Sequence, residues 1–88
     1  MAGVEELRSW VAVATQRTQG AVAAVAQASL QLEEARTALV AAGSAIGTGS
    51  AELDRSSGLL DEARASLAEA QRAAMAAVST AEAYAARR

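Results

Sequence analysis

Eighty-eight residues are expected to form one small domain, residues 1–88, and stability at this size often needs disulfides, a metal or a partner. There is no Cys and no His, which removes disulfides, the usual zinc sets and thiol redox chemistry. Ten carboxylates against eight arginines give a net charge of −2 with no basic run beyond Arg87–Arg88, so no nucleic-acid partner is expected.

Alanine fills 26 positions and proline none, a composition that favours long helices because Ala loses least on entering one. The longest apolar runs, such as AVAAVA at 21–26, fall far short of the ~18–20 residues that span a bilayer, so no membrane insertion is expected. The start, MAGVEELRSW, is acidic where a secretory signal is basic and then apolar. A cytoplasmic location follows as the expectation, with export lacking a cleavable signal as the alternative.

The first helix is expected over about 4–42. From Val4, steps of three and four reach Leu7, Val11, Ala14, Thr18, Ala21, Val25, Ala28, Leu32, Ala35, Leu39, Ala42 and Ile46. This is a heptad repeat with mostly large residues at a and mostly Ala at d. Between 43 and 50 the chain reads GSAIGTGS, three glycines and no long polar side chain, which predicts the connection between two helices. Gly43 is the expected left-handed stop, and Ser50 or Thr48 the expected N-cap. The loop lacks the lysine and the preceding strand that would make it a phosphate cradle.

The second helix is expected over about 51–86, with Leu53, Leu60, Leu67, Ala74 and Ala81 at a and Ser56, Ala63, Ala70, Ala77 and Tyr84 at d. DRSSG at 54–58 predicts a soft first turn, because Ser56, Ser57 and Gly58 all disfavour a helix interior.

The octapeptide LEEARTAL at 32–39 returns as LDEARASL at 60–67. If the chain reverses near Gly47–Thr48, the copies face each other and a meets d along the seam of an antiparallel two-helix hairpin, an Ala-rich coiled coil. Leu32 then meets Ala63, Ala35 meets Leu60, Ala28 meets Leu67 and Val25 meets Ala70, each large residue over a small one.

Charges usually flank such a seam and fix its pairing, but here the acids lie at b and c, as in Glu33–Glu34 and Asp61–Glu62. Small neutral flanks leave Val22, Val78 and Leu59 uncovered by one hairpin, with Leu30, Val40 and Met75 beyond them. A second hairpin or another helical protein is the expected partner, closing a four-helix bundle. Trp10, Tyr84 and Arg87 converge at the open end in this register and form a second candidate contact, since these residue types dominate binding hot spots.

No enzyme is expected. Without His, Cys or Lys the common general bases, thiolate nucleophiles and Schiff-base chemistry are missing, and adjacent helix carboxylates diverge. No catalytic residue, cofactor, metal or small-molecule substrate is assigned. The expected role is a non-catalytic module for protein–protein interaction and assembly.

A short, Ala-rich helical hairpin without cysteine or lysine resembles the small helical-hairpin proteins of high-GC Gram-positive bacteria, the WXG-like substrates of type VII secretion and the N-terminal helical segments of polymorphic toxins. The resemblance rests on size, helical pattern and turn position over the whole chain. The turn reads AIGTG rather than Trp-x-Gly, and the only Trp is Trp10. Arg88 stands where the family's C-terminal signal has an acid four residues after a Tyr, here Tyr84. The resemblance implies an exported or toxin-associated hairpin as the alternative role.

Overall fold

The computed structural model describes residues 2–47 and 50–87. Helix α1 runs Ala2–Ala45 and helix α2 runs Ala51–Ala86. They pack against each other as an antiparallel all-α hairpin of 70 × 15 × 13 Å. At ~1.5 Å per residue, α1 alone accounts for that length.

The turn is built by one glycine and one serine. Gly47 adopts φ 74°, the left-handed conformation that stops a helix at least cost for a residue without Cβ. Its N–H donates to Ser44 O at 3.1 Å and the Ile46 N–H to Ala42 O at 3.4 Å, so two of the last carbonyls of α1 find partners. The stop is thus four residues later than Gly43, which stays helical and half-buried. A Cβ at Gly43 would lie 3.7 Å from Leu53 Cδ1, so this glycine lies where α1 meets the first turn of α2.

Ser50 caps α2 from an extended backbone, its Oγ accepting from Leu53 N–H at 3.4 Å and donating to Glu52 Oε2 at 2.9 Å. Glu52 and Asp54 in the first turn complement the helix dipole. Thr48, the other N-cap candidate, lies outside the described residues, as does Arg88. The expected soft stretch at 54–58 is continuous α-helix. Ser56 and Ser57 are half-buried there, and Ser57 shares a concavity with Leu39, Gly43 and Leu53, so packing against α1 offsets their poor propensity.

The seam lies one row away from the sequence expectation. On α1 the half-buried residues are Val4 and Leu7 near the open end and then Val11, Thr15, Thr18, Val22, Val25, Ser29, Leu32, Arg36, Leu39 and Gly43, with Ala28 beside this row. On α2 they run Leu53, Ser57, Leu60, Arg64, Leu67, Gln71, Ala74, Val78, Ala81 and then Ala85, buried at 7% exposure, with Ser56 and Ala68 beside this row. The a positions point inward, but their companions are the e positions rather than d. Both helices are turned by roughly 50° about their axes relative to an a/d seam.

Of the alanines expected at the seam, Ala35, Ala63 and Ala70 are exposed and Ala28 is half-buried. Elementary burial explains the choice. Val22 and Val78 carry two more carbons than an alanine, each worth ~0.8 kcal/mol when fully buried, and the Arg36 and Arg64 stems cover more surface than a methyl group. Turning the e row inward therefore removes more apolar area from water.

Candidate interaction surface

The repeated octapeptide forms a reciprocal clasp across the seam. Arg36 Nε reaches the Asp61 carboxylate at 2.9 and 3.1 Å, and Arg64 Nη2 lies 3.6 Å from Glu33 Oε2. The acid at the second position of each copy thus pairs with the arginine at the fifth position of the other. The two copies do face each other, through charge pairs rather than through Leu over Ala. The second pair is looser, and the Arg64 Nε is shielded from solvent without a hydrogen-bond partner.

These pairs, with Gly43 against Leu53, fix the register one residue beyond the expected one. Leu32 comes level with Arg64 rather than Ala63, and Leu60 with Arg36 rather than Ala35. Val25 comes level with Gln71 rather than Ala70, and Leu67 with Ser29 rather than Ala28. All of Leu32, Val25, Leu60 and Leu67 are half-buried. At the open end Val11 shares a concavity with Ala85, where Tyr84 was expected.

Two broad sides of the hairpin follow. In an antiparallel pair related by a twofold axis normal to the plane of the helices, like rows of both helices lie on the same side. One side carries the b and f rows. It holds both ion pairs and three shallow concavities, one of which is lined by Thr18, Val22, Met75 and Val78. Val22 and Val78 therefore belong to the seam floor and are half-buried, rather than standing on an open flank. Leu30, Val40 and Met75 are exposed on this clasp side.

The other side carries the d and g rows. Ala14, Ala21, Ala35, Ala42, Ala63, Ala70 and Ala77 are all exposed on it. It also carries Leu59 at 56% exposure near the turn, and Trp10 at 66% and Tyr84 at 42% near the open end. Arg87 lies over the Tyr84 ring with its guanidinium carbon 5.9 Å from the centroid, at the outer limit of a cation–π contact. Arg87 thus pairs with Tyr84 along α2, where the sequence pointed to Trp10.

No group of three or more His, Cys, Asp or Glu stands close enough to hold a metal among the described residues. No described helix is long and apolar enough to cross a membrane. Sequence reasoning missed Arg36 and Arg64, although the shared acid at position two and arginine at position five of the octapeptides was the available signal. Compared with family models, curated proteins and solved structures, the chain matches none.

Proposed function

We propose that this chain is a helical assembly module that works by packing a broad side of its hairpin against another helical surface, in the manner of half a four-helix bundle. The observation that carries this reading is the surface left in water. The hairpin exposes 6403 Å², against about 4,800 Å² for a globular chain of 8.9 kDa. Ala85, at 7% exposure, is the one buried hydrophobic residue among those described. A seam of half-buried side chains between two helices leaves a marginal fold, and covering one broad side completes the core.

The WXG-like resemblance extends this reading to an exported hairpin that does the same packing outside the cell; the two-helix plan with a central turn is what the forms share. Thermal melting followed by circular dichroism, with the mass measured at each concentration, tests the reading. The isolated monomer should melt broadly at low temperature and gain both cooperativity and stability once a helical partner binds it. A sharp, high-temperature transition at monomeric mass, unchanged over a hundredfold range of concentration, would contradict it.

A further inference from the structure

Resting on that reading, we infer that the partner is a second copy of this chain, seated on the alanine side with its turn end over the open end of the first. Area, charge and side-chain size lead to this occupant independently.

Area comes first. A side of 70 by 15 Å presents about 1,000 Å² in plan, so two copies face to face bury about 2,000 Å², the lower bound of obligate homodimer interfaces. The clasp side is equally large but carries Glu33, Asp61, Asp54 and Glu82 along its length. Stacking two such sides would set acids against acids and desolvate pairs that now sit in water. On the alanine side the described charges are confined to the ends, with Glu52 next to the turn and Arg17 and Arg87 towards the open end. The stretch between them is uncharged, Ala70 lies near its middle, and a shallow concavity lined by Ala73, Ala77, Thr80 and Tyr84 lies towards the open end.

Orientation follows from the same ends. With both turns at one end, Arg17 and Arg87 of one copy would approach their own counterparts in the other. End-for-end stacking separates them and brings Glu52 of one copy towards Arg87 of the other. Side-chain size agrees with charge. Leu59 lies roughly 16 Å from the turn tip, and Tyr84 and Trp10 lie roughly 12–15 Å from the opposite end, at ~1.5 Å per residue. End-for-end stacking over the full length therefore sets Leu59 of each copy against the Trp10 and Tyr84 end of the other, while the alanines between let the helices approach closely.

Light scattering across a concentration series, on the wild type and two double variants, tests the occupant and the side. Ala24→Glu with Ala70→Glu puts carboxylates at the middle of the alanine side, where the two copies would meet. Ala23→Glu with Ala65→Glu adds the same charge to the clasp side. The wild type should be a dimer. The first pair should raise its dissociation constant more than about a hundredfold with helicity retained, and the second should leave it within a few-fold.

Orientation has its own readout, usable even if a glutamate variant fails to fold. Mixing Tyr84→Cys with Leu59→Cys, which end-for-end stacking brings level on facing α2 helices, should under mild oxidation give the mixed disulfide dimer in preference to either self-linked dimer. Preferential self-linking, loss of the dimer with the clasp-side pair, or equal loss with both pairs would overturn the inference. A wild type that stays monomeric would overturn it too. If that monomer melts broadly, the assembly reading stands and the occupant is a different helical protein; if it melts sharply at high temperature, both fall.

Discussion

On the clasp side, Glu33, Asp61, Arg36 and Arg64 pair across the helices and keep their outer edges in water. On the alanine side, formed by the d and g rows of the same heptads, a row of methyl groups faces outward with no ion pair across the helices. The difference arises from which row the seam recruits: by taking Arg36 and Arg64 inward, it leaves the smallest side chains as the surface, and small side chains are what two helical layers need to approach one another.

The largest effect should come from the seam, which both sides share. Leu60→Ala removes a half-buried leucine and should cost ~1–2 kcal/mol, about half the usual loss for a fully buried one, with the transition shifted whichever side is covered. Denaturant titration measures it. A negligible loss would mean that the two sides are not held by this row.

Ala35→Leu separates the sides more sharply. An alanine inside the seam would overpack and cost ~1–3 kcal/mol at any concentration. Exposed on the alanine side, Ala35 should tolerate the leucine in the monomer, and the penalty should appear only as weaker association. Melting at low and high concentration distinguishes the two.

The clasp should matter less. Arg36 and Asp61 are each nearly half-exposed, so Arg36→Ala should cost only ~0.2–1 kcal/mol, less in high salt. Exchanging the charges, Arg36→Asp with Asp61→Arg, should recover part of the loss; no recovery would make the pair incidental. Smallest of all, Leu30→Ser on the clasp side should change stability by less than about 0.5 kcal/mol and leave the mass unchanged. A drop in mass there would move the partner to that side.

The two helices, their length and the turn between them were legible because a proline-free, Ala-rich heptad permits little else, and Ser50 announced its cap by standing before Glu52 and Leu53. The a row was legible too, since Val25, Leu32, Leu60 and Leu67 are large and seven apart. The companion row was not. Apolar counting favours alanine at d over Ser29, Arg36, Arg64 and Gln71 at e, whereas burial by area counts the stem of an arginine and ignores the label of its head group. A rotation of half a residue decides between them, and periodicity alone does not resolve so small an angle. Gly43 and Gly47 posed a similar ambiguity: both are glycines in the right stretch, and only the end of the α1 hydrogen-bond ladder selects the second.

Because the alanine side exists only if the seam is turned towards the e row, intramolecular cross-linking between the helices tests the structure most directly. The chain has no cysteine, so introduced pairs report without background. At monomeric concentration, Val22→Cys with Ala74→Cys should oxidise rapidly to the internal disulfide, both positions being half-buried and level with each other. Ala21→Cys with Ala74→Cys, the pair an a/d seam would bring together, should oxidise slowly. The opposite order of rates would place the alanines between the helices and remove the surface proposed for a second copy.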